Sequence, residues 1–228
     1  MRTIILLIFY LVGLILLTPV LLVFLVLGKK EPVLDIGKWA MGVSRWILGL
    51  KVEVEGLENV DPHQSYVFMA NHVSFLDGPL LFYVIPQRVR VILKKSIFRI
   101  PVAGLAMRFI GFVPIDKKSI SKGKRSIDQA VQAIKEKGYS FLIFPEGTRS
   151  HDGKLHQFKR GGFILAVAAQ VPIIPITIKG TFELMPRGKI FPRRGKIKVI
   201  FHPPVETAGK TVADIPTLLS HVFTQIGT

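Results

Sequence analysis

The run Asn71-His72-Val73-Ser74-Phe75-Leu76-Asp77-Gly78 sets an imidazole and a carboxylate five positions apart. A carboxylate bonded to one imidazole nitrogen fixes the tautomer and leaves the other nitrogen as a base. On a regular helix that spacing turns the two residues about 140° apart, and fully extended it separates them by about 17 Å. They meet only across a turn or a helix start, which Asp77-Gly78-Pro79 favours. Taken alone, the pair reads better as a helix-capping Asp77 beside an unrelated surface His72. A second run, Phe144-Pro145-Glu146-Gly147-Thr148-Arg149-Ser150, follows an apolar stretch. Gly147 lets a ligand approach the backbone, and Arg149 offers a planar fork suited to phosphate. An ordinary polar turn with a solvated arginine accounts for the same residues equally well.

Two further runs stand out. Gly111-Phe112-Val113-Pro114-Ile115-Asp116-Lys117-Lys118 ends in cations that neutralise a phosphate or simply face solvent. Val171-Pro172-Ile173-Ile174-Pro175-Ile176 is apolar and carries two prolines, which suggests a wall or an edge strand. Several chemistries are disfavoured. The chain has no Cys, hence no disulfide, thiolate metal site or Cys nucleophile. It has no G-x-S-x-G elbow and no H-E-x-x-H spacing, so neither an acyl-serine nor a metal is expected. Ser150-His151-Asp152 contains the residue types of a triad, but sequence neighbours rarely converge as a triad does, and the run reads as chance.

The elements that must position these residues follow from periodicity. Val/Ile/Phe-rich runs predict strands at 51–55, 66–70, 89–93, 112–115, 140–144, 173–178 and 196–201. Helices are predicted over 79–85, 103–110, 123–137, 161–169 and 212–226. Strands alternating with helices imply an α/β layered domain. Both chemistry-bearing runs directly follow predicted strands, and loops at strand ends are common ligand sites in such folds.

Ahead of this domain, Thr3 to Leu27 carries no charge. As a helix of about 25 residues it is long enough to cross a hydrocarbon core of about 30 Å. A signal peptide would have a shorter apolar region and a small-residue cleavage site, whereas this run ends in Gly28-Lys29-Lys30. Ile36, Trp39, Ala40, Val43, Trp46, Ile47 and Leu50 then recur at helical spacing. This is either an amphipathic interfacial helix or one packed on the core. The two helices form a transmembrane or monotopic anchor over residues 1–50, with the remaining domain at 51–228. Lys29, Lys30 and Lys38 after the apolar run place that domain on the cytoplasmic side of the cell (inner) membrane. The formal net charge of +16 favours phosphate-rich partners. With a membrane segment present and no nucleic-acid motif, anionic lipid is expected and nucleic acid is not.

Together and in this order, the four runs resemble the glycerolipid acyltransferase family, in its bacterial 1-acyl-glycerol-3-phosphate acyltransferase branch. The family's H-x4-D block matches His72 and Asp77. Its F-P-E-G-T-R-S block matches residues 144–150 without change, about 70 residues further on. Its G-x-x-x-I-D-R-like block matches Gly111 to Lys117, with Lys where Arg is common, and its V-P-I-x-P-I block matches 171–176. The segment 94–101 also looks like this family, and the similarity runs from about Leu50 to Phe201. The resemblance implies a layered mixed sheet flanked by helices. It implies acyl transfer from acyl-CoA or acyl carrier protein to the sn-2 hydroxyl of 1-acyl-sn-glycerol 3-phosphate, giving phosphatidic acid. In that reading His72 is the general base, Asp77 orients it, and Lys117, Glu146, Gly147, Thr148 and Arg149 form the acceptor site, with no cofactor beyond the acyl donor. Lys117 supplies charge without a bidentate fork. Other lysolipids or glycerol 3-phosphate remain alternative acceptors, and a non-catalytic anionic-lipid adaptor is a rival of another class.

Overall fold

The computed structural model describes residues 2–116 and 120–227. The chain opens with two helices, α1 (Arg2–Val26) and α2 (Glu31–Leu48). Among the described residues seven strands follow: β1 (Leu50–Glu55), β2 (Val67–Ala70), β3 (Arg90–Lys94), β4 (Val113–Ile115), β5 (Phe141–Ile143), β6 (Ile173–Lys179) and β7 (Gly195–Phe201). They form one sheet in the order β1-β7-β6-β2-β5-β3-β4. Strands β2 to β6 run parallel to one another, while β7 is antiparallel to β6 and β1 is parallel to β7. The sheet is therefore mixed, as expected. Between and after the strands lie α3 (Asp77–Val84), α4 (Ala103–Phe109), α5 (Ile120–Lys137), α6 (Gly161–Ala169), the single-turn α7 (Thr181–Leu184) and α8 (Ile215–Gly227).

Strand alternation explains the layering. In β2, Phe68 and Ala70 face a core that includes Leu34 and Leu48 of α2 and Leu80 and Leu81 of α3. Val67 and Met69 face the opposite core, with Ala130 and Ile134 of α5, Phe163 of α6 and Val222 of α8. Successive strand side chains point to opposite faces, so a strand covered on both faces must be apolar throughout. All four residues of β2 are fully buried, which is why VFMA shows no polar alternation.

Of the two expectations for the 171–176 run, a wall or an edge strand, the structure shows the buried wall. Pro175 lies in β6, which has β2 on one side and β7 on the other. Its carbonyl accepts from the His202 N–H (2.9 Å), and a strand residue's N–H and C=O face the same neighbour. The absent N–H therefore faces the β7 side, where the ladder breaks. Regular pairing covers Ile176 to Lys179, and the next bridge is Ile173 to Val205. Two residues of β6 thus face three of the other strand, a local irregularity that accommodates proline inside a sheet.

The helix expected around Trp39 and Trp46 packs on the core along one face and turns its tryptophans away from it. Leu34, Ser44 and Leu48 of α2 are buried against the domain, whereas Trp39 and Trp46 point outward and are exposed. Leu34 is wholly enclosed in the core shared with the sheet. Helix α1 returns along α2. The Tyr10 hydroxyl lies 2.7 Å from the Ser44 hydroxyl, Phe9 packs against Trp39, and the Arg2 guanidinium donates to the Leu48 carbonyl (3.2 Å). α1 is long and apolar enough to cross a membrane, and most of its large side chains are exposed.

His202, just past β7, gives the fold a measurable acid sensitivity. Its Nε2 lies 2.7 Å from the Thr177 hydroxyl. Burial, and secondarily the Lys179 charge, push its pKa below the ordinary imidazole value. The unfolded chain then binds the proton more readily, so the contribution is present above the ordinary value near ~6.5 and is lost as pH falls through the depressed folded value. Urea midpoints of the wild type should fall over that interval. His202→Gln, which keeps a polar group for Thr177 but cannot charge, should show a shallower decline.

Candidate active site

Three loops leave the carboxyl ends of β2, β5 and β6, and the strand order makes them neighbours, because β2 lies between β5 and β6. The first carries His72 and Asp77, the second Glu146 to Ser150, and the third Gly180 and Thr181.

Asp77 is the first residue of α3 and is fully buried. Its side chain reaches backward across the turn and caps none of its own helix's amides. Oδ2 accepts from the Val73 N–H (2.8 Å), the Ser74 N–H (2.7 Å) and His72 Nδ1 (3.0 Å). Oδ1 accepts from the Thr181 hydroxyl (2.7 Å). Two consecutive amides thus fold the 72–77 turn around the carboxylate, which brings the imidazole to it despite the five-residue spacing. With Nδ1 donating to Asp77, Nε2 of His72 is the acceptor nitrogen. Among the described residues nothing hydrogen-bonds Nε2. The imidazole is 20% exposed and stacks on Phe144 with centroids 4.1 Å apart.

Glu146 is buried, and both its oxygens are engaged by backbone: Oε1 by the His72 N–H (2.6 Å) and Oε2 by the His156 N–H (3.0 Å). Burial raises its pKa, and these two amides oppose the shift. The Ser150 N–H donates to the His72 carbonyl (2.8 Å). The second loop therefore holds His72 at its amide, its carbonyl and its ring. Gly147 has φ of +72°, which favours glycine, and a side chain there would crowd the stem of Lys159. Arg149 is half-buried, with its guanidinium 5.8 Å from the Phe75 ring. Its carbonyl accepts from Arg187 (3.0 Å), and Thr148 is exposed beside the same Arg187. Lys117 lies outside the described residues.

The Ser150-His151-Asp152 run is a brace. The Ser150 hydroxyl donates to Asp152 Oδ1 (2.7 Å), and His156 Nε2 lies 2.9 Å from the same oxygen. The Ser150 hydroxyl, the Lys154 N–H and then His156 hold the Asp152 carboxyl well below the usual range. Asp152 is exposed, so this network shapes the loop more than it stabilises the fold.

Sequence reasoning missed several residues here. Asn71 clamps β2 to β6, donating to the Ile178 carbonyl (2.9 Å) and accepting from its N–H (2.7 Å). The Ser74 hydroxyl donates to the Met185 carbonyl (2.7 Å). Asn71 and Ser74 sit inside the first motif, so their positions were visible and their partners were not. Thr181 had no signal at all, as it lies outside all four motifs. Its role comes from the end of β6 coming to rest beside the end of β2.

The sequence profile of the family described as Acyltransferase matches residues 51–179, more than half the chain. The chain belongs to this acyltransferase family. It is 36% identical over 180 residues to the 1-acyl-sn-glycerol-3-phosphate acyltransferase alpha of Mus musculus, an alignment covering 78% of this chain and 63% of that protein. It is 39% identical over 157 residues to the chloroplastic 1-acyl-sn-glycerol-3-phosphate acyltransferase BAT2 of Brassica napus, covering 68% and 45%. The chain thus spans less than two thirds of the length of these relatives. Its fold matches the crystal structure of the 1-acyl-sn-glycerophosphate (LPA) acyltransferase PlsC from Thermotoga maritima. The TM-score is 0.83 and the identity 27%, with all of this chain and 95% of that one covered.

Thr181→Val tests the third loop. Losing the hydroxyl leaves a buried carboxylate oxygen without its donor, which should cost about 1–3 kcal/mol. Turnover should fall as His72 loses its fixed orientation, with substrate KM little changed, and Thr181→Ser should restore both. An unchanged turnover number in a folded Thr181→Val protein would remove Thr181 from the machinery.

Proposed function

We propose that this acyltransferase moves a fatty acyl group from a thioester, acyl-CoA or acyl carrier protein, to the sn-2 hydroxyl of 1-acyl-sn-glycerol 3-phosphate, giving phosphatidic acid. The observation that carries the reading is the bonded pair His72 Nδ1–Asp77 Oδ2 with Nε2 left as the acceptor on a partly exposed ring. Nε2 takes the proton of the acceptor hydroxyl as its oxygen attacks the thioester carbonyl. Asp77 stabilises the imidazolium that forms. The tetrahedral intermediate collapses with cleavage of the C–S bond. The thiolate leaves with the carrier, and the imidazolium is the proton source for it. No acyl-enzyme is formed. General-base assistance of this kind contributes about 10²–10⁴-fold.

The phosphate of the acceptor is assigned to Arg149 and Lys117, with Gly147 and Thr148 shaping the loop. Glu146 acts by positioning, since its oxygens are committed to the amides of His72 and His156. The names of the curated relatives and of the Thermotoga maritima structure support the acceptor. The exposed apolar α1 supports work at a bilayer, where acceptor and product reside. The cationic residues after α1 favour a catalytic domain on the cytoplasmic side of the cell membrane.

The chain has no cysteine, so thiol release from acyl-CoA can be followed without background from the protein. Release that depends on lysophosphatidic acid is expected, whereas lipid binding without release would make the protein an adaptor. His72→Ala should lower turnover by at least about 10²-fold in a folded protein. Full activity in that variant would rule His72 out as the base. Arg149→Ala should chiefly raise the KM for the phosphate-bearing acceptor, as loss of uniform binding does. A rise confined to the KM of the acyl donor would reassign Arg149.

A further inference from the structure

The turn between α7 and β7 reads Met185-Pro-Arg-Gly-Lys-Ile-Phe-Pro-Arg-Arg-Gly195. At its tip Ile190 is 71% exposed and Phe191 63% exposed. Arg187, Lys189, Arg193 and Arg194 bracket them, all exposed, and no acidic residue occurs in the segment. Among the described residues, no carboxylate lies within ion-pair distance of these four cations. The turn is ordered by its own backbone: the Lys189 N–H donates to the Pro186 carbonyl (3.1 Å) and the Arg193 N–H to the Leu184 carbonyl (2.9 Å). Gly188 supplies the positive φ of 91°. A fixed turn that presents two large apolar side chains to water has a surface to cover.

Its place in the molecule says what covers it. One root of the turn is in the site, where the Met185 carbonyl takes the Ser74 hydroxyl and Arg187 holds the Arg149 carbonyl. The other root lies against the anchor. The stem of Arg194 lies beside Gly49, next to the Arg2 guanidinium that binds Leu48. At that end of α2, Trp46 is 77% exposed. The turn thus borders the cleft at one root and meets the carboxyl end of α2, whose last turn exposes Trp46, at the other.

We propose that this turn is a second membrane contact, which sinks Ile190 and Phe191 into an anionic phospholipid surface while the four cations engage lipid phosphates. The chemistry is that of an interfacial anchor, with apolar side chains at the acyl boundary and Lys and Arg at headgroup level. With α1 and α2 and the adjoining turn all at the bilayer, the catalytic domain is held at two points and the mouth of the cleft faces the membrane. The proposal deepens the lipid-acceptor reading and rests on it for its purpose.

The absence of cysteine makes the test specific. The full chain carrying Phe191→Cys, labelled with an environment-sensitive fluorophore, is reconstituted with phosphatidylcholine or with phosphatidylglycerol vesicles. Some lipids in each carry a quencher near the headgroup. Quenching at position 191 is expected in phosphatidylglycerol vesicles, weaker in phosphatidylcholine, and reduced in each when Lys189 and Arg193 are replaced by Ala. A label on His63→Cys, exposed ahead of the amino end of β2, should not be quenched. Ile190→Ser with Phe191→Ser should raise the KM for acceptor embedded in vesicles by about tenfold, from the apolar burial lost. It should leave transfer to a dispersed short-chain acceptor unchanged. No quenching at 191, equal quenching at 63, or a signal that tracks protein concentration, as a second copy covering the turn would give, overturns the proposal. Failure of transfer to the dispersed acceptor in the wild type would instead overturn the proposed activity, since quenching is read without turnover.

Discussion

The arrangement depends on one carboxylate accepting four hydrogen bonds inside the protein. Asp77 is wholly enclosed and receives two amides, an imidazole and a hydroxyl. A buried charge is tolerable only when its lone pairs are met. The partners come from two places, the turn just before α3 and the end of β6, so satisfying Asp77 obliges both to converge. His72 is held as a consequence, and the stacking of Phe144 and the clamp of Glu146 close the remaining freedom of its loop.

Sheet order makes that convergence possible. Placing β2 between β5 and β6 brings the three loops to one end without long excursions. The reversal at β7 then sends the chain back to start its strand at that same end. There the turn at 185–195 meets the end of α2. One change of strand direction thus links the site loops to the amino-terminal helices, and the break in pairing opposite Pro175 lets that neighbour form beside a proline-containing strand.

Much of this was legible in the sequence, because the signals were local. All seven strands coincide with Val/Ile/Phe-rich runs, to within about a residue at most ends, since burial on both faces demands apolar continuity. The motif residues were legible as types at fixed spacing. Partners distant in the chain were not. Thr181 meets Asp77 across 104 positions, and nothing in its neighbours announces this. Glu146 has the composition of a ligand-binding residue, yet it is spent on two amides. That distinction requires knowing which backbone N–H groups the fold leaves unpaired. Pro175 left wall and edge open for the same reason: proline's edge preference is statistical, and the gap that admits it inside the sheet belongs to another strand.

The wide separation of Asp77's supports has a consequence for biosynthesis. Helices α1 and α2 leave the ribosome before the sheet, with the His72 segment close behind. Threonine 181 follows only after another hundred or so residues have been made. Until then the carboxylate lacks its second brace and the imidazole its fixed aim. The nascent chain therefore carries the imidazole and its carboxylate well before the fold can fix them, and a product terminated in that interval would keep their spacing without the contact that sets it.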